Sequence, residues 1–222
     1  MYFIILIIKF QYFNLYHIIY KCRKKGDVEN LDLKNKKIGF VFTGSFCTFS
    51  KTIPKMKELI NQGADIIPIM SFNSYNLDTK FGKAKDFIDE IEKITQKKII
   101  HTIQETEPIG PKHLTDIMVV APCSGNTMAK LASDIIDTPA TMAVKSHLRN
   151  NLPVVIAPST NNGLSGNAKN IGTLLNRKNY YFVPFRQDNP ITKPRSIVFD
   201  SEYIIKTIES ALDGEQIQPI LI

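Results

Sequence analysis

The chain has 222 residues, of which 43% are hydrophobic and 22% charged, with 11 glycines and 12 prolines. That is enough for one α/β domain with a full core, and it excludes a collagenous chain, a long disordered chain and a disulfide scaffold. The net charge of +7 is uneven, because residues 1–25 carry Lys9, Lys21, Arg23, Lys24 and Lys25 with no acid; the weakly basic remainder disfavours a nucleic-acid partner and leaves room for small anions.

Residues 1–20 are rich in Ile, Phe and Tyr, but Lys9, Gln11, Asn14 and His17 interrupt the run. A membrane span needs about twenty mostly apolar residues. A secretory signal needs a basic start and a small-residue cleavage site, and neither is present. Three readings therefore stay open: a membrane-proximal or partner helix, a signal, or an extension outside the natural protein because translation starts later. The expected organisation is an extension over 1–33, with a polar linker at 27–36, and a globular domain over 34–222.

Within that domain, 37–43 is a short apolar β-rich run stopped by Gly44, and it reads as a buried first strand. Phe46, Phe49, Ile53, Met56 and Ile60 follow at helical spacing, with Gly63 as the stop and Pro54 expected in the first turn. Residues 65–70 predict a second strand, 71–82 a polar loop and 83–95 an amphipathic helix. A third strand over 117–121 is ended by Pro122. Helices are predicted at 127–133 and 139–150. A fourth strand over 153–157 is ended by Pro158. A helix over 168–177 leads to a fifth strand at 180–183, and Ile204, Ile208 and Leu212 mark a last helix before Gly214. Continuous apolar strands separated by helices predict a Rossmann-like α/β fold: three layers, with a mostly parallel sheet covered by helices on both faces.

Ligands of such sheets bind beyond the carboxyl ends of the strands. Three polar, small-residue loops fall there: 43–48, 121–127 and 157–163. In the first, Gly44 permits a tight turn beside Ser45, ahead of a helix start suited to phosphate; it is neither a Walker A nor a GxGxxG loop, and an ordinary turn explains it as well. The second, Ser124-Gly125-Asn126-Thr127, packs hydroxyls, an amide and a glycine at a helix start. A cap by Asn126 or Thr127 would need one such residue, not three, which favours a ligand. In the third, Asn161 and Asn162 are equally turn residues.

Nucleophile and metal signals are weak. Cys22, Cys47 and Cys123 show no CxxC or zinc spacing and fit a reduced cytosol. Cys47 and Cys123 read as packing residues. His17, His101, His113 and His147 have no metal spacing. His147, between Lys145 and Arg149 near a helix end, reads as a cation favoured by the macrodipole. Lys145, Arg149, Arg186, Lys193 and Arg195 are carboxylate-binding candidates that otherwise read as solvated surface.

The stretch 121–130 followed by Asp137-Thr138-Pro139 resembles the Ser-Ala-Asn-Thr segment of the homo-oligomeric flavin-containing cysteine decarboxylase superfamily. Pro158-Ser159-Thr160-Asn161 resembles its Pro-Ala-Met-Asn segment, and Thr43-Gly44-Ser45 its first phosphate-binding turn. Within the superfamily, 42–45, 107–112, Lys145 with 149–151, Lys169-Asn170 and 217–221 are most similar to the dipicolinate synthase B-subunit family. The resemblance covers about residue 34 to the end.

It implies bound FMN. The residues implied are Gly44, Ser45 and Phe46 at the phosphate, Ser71 with Phe72 and Asn73 more loosely, and Ser124, Gly125, Asn126 and Thr127 in the best-defined motif. Ser159 and Asn161 join them from the third loop. Gly125 stands where the superfamily usually has alanine. The decarboxylases carry a catalytic histidine eight residues before the Asp that opens the third strand. Counting back from Asp116, this chain has Pro108 there, with His101 and His113 out of register. Decarboxylation is thus expected to be lost.

The resemblance implies a cytoplasmic flavin-dependent oxidoreductase subunit of a sporulating cell. It would act with an A subunit, which would bring NAD(P), on a small dicarboxylate that is oxidised to dipicolinate. Lys145, Arg149 and Lys193 are the cations nominated for that dianion, and a homo-oligomer is expected. The alternatives are a flavin-dependent decarboxylase, a flavin prenyltransferase, or a non-catalytic partner subunit without cofactor.

Overall fold

The computed structural model describes residues 33–222. The expectation for 1–33 lies, apart from Leu33, outside the described residues; Leu33 itself is buried in the core. No helix among the described residues is long and apolar enough to cross a membrane.

Five strands form the parallel part of one sheet: β1 (Lys37–Phe42), β2 (Asp65–Met70), β3 (Ile117–Cys123), β4 (Val154–Thr160) and β5 (Tyr180–Phe182). Their order is β2-β1-β3-β4-β5, and every pairing is parallel. All seven residues of β3 are buried, as are six of seven in β4, which is why these strands read as unbroken apolar runs. The helices form two layers. On one side α1 (Phe49–Asn61) packs on α3 (Ala84–Thr95) and on α8 (Ile204–Leu212). On the other, α5 (Gly125–Ala132) packs on α6 (Pro139–Leu148) and α7 (Ala168–Leu175). Phe49 ties β1 to two helices, lying 5.3 Å from the Phe42 ring and 5.0 Å from the Phe87 ring, both edge-on. The Rossmann-like, mostly parallel architecture read from the sequence is the observed one.

Several boundaries differ, each for a physical reason. A 3-10 turn at Phe46–Thr48 precedes α1, so Pro54 sits inside the helix and not in its first turn. Ser50, whose carbonyl loses its partner, and Pro54 are both exposed, so water can take the bond. The 71–82 loop contains the short helix α2 (Phe72–Asn76), capped by the Ser71 hydroxyl. The Ile103–Thr106 helix (α4) carries no apolar spacing; a reciprocal Thr102–Glu105 capping box makes it. Pro122 and Pro158 do not end their strands. Cys123 pairs with Pro158 after a register shift, and both strands continue to Cys123 and Thr160.

The larger departure is an antiparallel hairpin, β6 (Phe185–Asn189) and β7 (Lys193–Phe199). Residues 186–195 are all exposed, so no apolar run announces these strands. The Asn189 side chain makes the turn by accepting from the Ile191 and Thr192 N–H groups, at 3.0 and 2.8 Å. β4 therefore divides its partners. Val154–Ile156 pair with β5, whereas Ser159 and Thr160 pair with Val198 and Ile197 of β7.

Candidate functional site

The order 2-1-3-4-5 reverses direction between β1 and β3, the position where ligands of such sheets bind. The loops after β1, β3 and β4 meet there, held by hydroxyls. Thr43 Oγ1 donates to Pro122 O at 2.7 Å and accepts from the Ser124 N–H at 2.9 Å. Ser45 Oγ donates to Ser159 O at 2.7 Å. Thr48 Oγ1 donates to Ser45 O at 2.8 Å and closes the first turn. Gly44 does not have a positive φ, and a Cβ there would make only ordinary contacts at 3.8 and 4.0 Å. The turn therefore does not require glycine for its own geometry, and the backbone stands open.

In the second loop the helix cap is Ser124. Its Oγ accepts from the Thr127 N–H at 3.3 Å and lies 3.1 Å from Thr127 Oγ1. Asn126 and Thr127, the cap candidates suggested by the sequence, do not play that part. The exposed Asn126 amide has no hydrogen-bond partner among the described residues, and the same holds for Asn161 in the third loop.

Gly125 is there for space. A Cβ would fall 2.5 Å from Asn167 Nδ2 and 2.9 Å from Asn162 Oδ1, with Thr160 Oγ1 closer still. Those side chains form one amide network. Asn162 Oδ1 accepts from Thr160 Oγ1 at 2.7 Å and from Asn167 Nδ2 at 2.6 Å, and Asn167 Oδ1 accepts from Asn170 Nδ2 at 2.8 Å. Asn167 and Asn170 are buried. Sequence reasoning takes Asn162 for a turn residue and passes over Asn167; their spacing from Asn170 along the start of α7 is the available signal.

A cleft of about 840 Å³ runs along these loops. Gly44, Ser45, Phe46, Ser124, Gly125, Asn126, Ser159 and Asn161 all line it, so eight of the ten nominated cofactor residues are brought together. A recess of about 380 Å³ adjoins it through Gly44, Ser124 and Asn126 and holds the other two, Ser71 and Thr127, with Phe72 and Asn73. Asn126 thus borders both spaces.

The nominated substrate cations are not together. Lys193 lines the cleft, and its ammonium is held by Asp188 at 2.6 Å, which raises its pKa. Lys145 and Arg149 line a different cavity of about 660 Å³ beside α6. Lys145, in the last turn of α6, and Arg149, which follows it, lie at the other end of the helix from Thr138, the cap residue that borders the recess. Lys51, one helical turn after Cys47, lines the cleft and has no signal in the sequence that marks it out.

His147 is not a dipole-stabilised cation. It is fully buried, with Nε2 3.0 Å from Pro153 O and Nδ1 2.8 Å from Thr115 Oγ1. The carbonyl can only accept, so Nε2 carries the hydrogen and Nδ1 accepts from the threonine. Burial lowers its pKa to about 4. Cys123 is buried, and burial pushes its thiol well up, away from nucleophilic use. The 107–112 stretch is structural. Ser146 Oγ donates to Glu107 O at 2.7 Å and accepts from the Gly110 N–H at 2.8 Å, docking that segment on α6. A Cβ at Gly110 would overlap the Ser146 carbonyl.

Comparison with known proteins places the arrangement. The family described as Flavoprotein matches residues 28–210. The dipicolinate synthase B subunit of Bacillus subtilis (strain 168) is 44% identical over 190 residues, covering 86% of this chain and 95% of that one. The crystal structure of the dipicolinate synthase B subunit from Bacillus halodurans C superposes with a TM-score of 0.80 and 43% identity, covering 86% of this chain and 98% of that one. The FMN-dependent cysteine decarboxylase SpaF, 20% identical with a TM-score of 0.61, covers 82% of this chain and 97% of its own and shares the fold.

Proposed function

Because this chain belongs to the Flavoprotein family, we propose that it binds FMN where the β1, β3 and β4 loops meet. We propose further that it acts as a dipicolinate synthase B subunit, taking part in oxidising a dihydrodipicolinate-type precursor to dipicolinate in the mother cell of a sporulating bacterium. The flavoprotein domain in this reading is 34–222, working as a homo-oligomer with an A subunit that brings NAD(P). The observation that carries the reading is the Asn126 amide. It has no partner among the described residues and borders both the cleft and its recess, in a chain this similar to the Bacillus B subunits.

Aromatising a dihydropyridine ring removes two electrons and two protons. Bound FMN would supply the two-electron acceptor. The residues present fit such a group: Asn126 and Asn161 offer amides able to donate and accept, and Gly44 leaves backbone exposed beside them. Thr43 and Ser45 fix the spacing of the three loops before any ligand arrives, which lowers the ordering cost of binding.

The test has two parts. Purified protein titrated with FMN should take up one flavin per chain, seen as a changed flavin spectrum and quenched fluorescence. Added to the A subunit and the dihydro precursor, it should accelerate dipicolinate formation, and the Asn126→Ala variant should do so less. A chain that leaves FMN unperturbed, or that adds nothing to the A subunit, overturns the corresponding half of the proposal.

A further inference from the structure

We propose that Lys51 is the carboxylate receptor of the cleft: the residue that takes one anionic group of a small planar dicarboxylate and so selects the substrate. This rests on the flavin reading above. Among the described residues three charged side chains line the cleft, Lys51, Asp188 and Lys193. Asp188 and Lys193 neutralise each other across the hairpin. Lys51 makes no hydrogen bond or ion pair with any described residue, so the charge left over in the cleft is its ammonium. The carboxylate whose charge it feels, Asp200, is already engaged by Arg186 Nη1 and by the Glu202 N–H, both at 3.0 Å.

Lys51 stands in the first turn of α1, one helical turn after Cys47 of the β1 loop. It lines the cleft together with Phe81 and with Lys193, Ser196, Ile197 and Val198 of β7, none of them a nominated cofactor residue, although Ser159 and Thr160 pair with Val198 and Ile197 there. In this reading the second ligand lies against the hairpin side of the cleft, beside a cofactor held by the β1, β3 and β4 loops. The cleft and recess together exceed what one ligand of that size needs. Apolar Phe81, Ile197 and Val198 suit a flat ring, and the ammonium suits its carboxylate. In the recess, by contrast, the cation Lys130 is already engaged by Asp137, at 2.7 and 2.8 Å.

The probe is pyridine-2,6-dicarboxylate, titrated into the FMN-loaded full chain and followed by the flavin spectrum and by calorimetry. Lys51→Met should weaken its binding about tenfold or more, the usual loss for a charge-assisted hydrogen bond. Lys51→Arg should restore most of that affinity, and FMN affinity should be the same in all three proteins. Unchanged dicarboxylate binding in Lys51→Met overturns the proposal, as does a wild-type holoprotein that ignores the dicarboxylate. A Lys51→Met protein that loses FMN but keeps riboflavin would assign the ammonium to the flavin phosphate, and that also overturns it. If the wild type binds no flavin at all, the reading beneath fails, a result distinct from each of these.

Discussion

Ser124, at the head of α5, donates its backbone N–H to the side-chain oxygen of Thr43 at the end of β1, across 2.9 Å and 81 positions of sequence. The same hydroxyl donates to Pro122 O. One fully buried side chain therefore satisfies a donor and an acceptor of the neighbouring loop, and it sets the distance between the two loops nominated for the cofactor. Replacing Thr43 by Val keeps the shape and leaves both groups without a partner. Unfolding in urea should show a loss of about 2–3 kcal/mol, with weaker FMN retention, while Thr43→Ser should recover most of both.

Asn126→Ala separates ligand binding from folding. Because Ser124 is the cap, removing the Asn126 amide should leave stability within about 0.5 kcal/mol of wild type. FMN affinity should fall roughly five- to a hundredfold, the equivalent of one lost hydrogen bond. Ser124→Ala should cost about 1 kcal/mol of stability through the lost cap. Both quantities are measurable on each variant by thermal melting and flavin titration.

The loop of Gly125 should reject even one methyl group. Gly125→Ala drives a carbon into Thr160, Asn162 and Asn167, of which Asn167 is buried. A cost of about 1–3 kcal/mol is expected from this overpacking, together with displaced Asn161 and weakened FMN binding. A melting temperature equal to wild type would mean that the third loop yields freely.

His147 gives a signed pH dependence. Its folded pKa of about 4 lies below the ordinary 6.5. The unfolded chain therefore binds the proton first, and the stability present above pH 6.5 is lost as pH falls toward 4. Its share is on the order of 3 kcal/mol by linkage. In a His147→Gln variant, urea midpoints measured across that interval should decline less steeply than in wild type, even though the variant begins less stable.

Peptides ending in cysteine should release no carbon dioxide. Counting back from Asp116, the resemblance implies Pro108 at the position of the decarboxylase histidine, and Pro108 lies in the one-turn Glu107–Ile109 segment docked on α6. On that register the chain offers no general acid–base group there, because proline has no titratable side chain. Detection of the gas from flavin-loaded protein, at more than the rate without enzyme, would refute this.

The parallel sheet is readable because β1, β3 and β4 are buried on both faces, so that their sequences are dominated by apolar side chains. The three loops are readable because small polar residues following such runs have few other reasons to cluster. The hairpin is not, because Arg186–Asn189 and Lys193–Arg195 meet water and owe their strand form to the partner strand alone. The distribution of cations is equally hidden. Lys145 and Arg149 lie close together in sequence and look like a pair, but they sit at the end of α6 away from Thr138 and the recess, which the sequence spacing does not reveal. The requirement for glycine at position 125 also depends on contacts with Thr160, Asn162 and Asn167, far along the chain, which no local pattern carries.

β4 serves two partners: its first half is locked into the parallel sheet, and its last two residues belong to the hairpin. The wall that holds the polar loops and the wall contributed by β7 are thus joined at one short seam. On the proposed reading, changes in the length or charge of the hairpin would retune what enters the cleft while leaving the parallel strands beneath the three nominated loops in place. The hairpin would then act as a replaceable selectivity panel on a fixed chassis, and divergence of substrate among proteins of this architecture should accumulate first in the segment between Phe185 and Phe199.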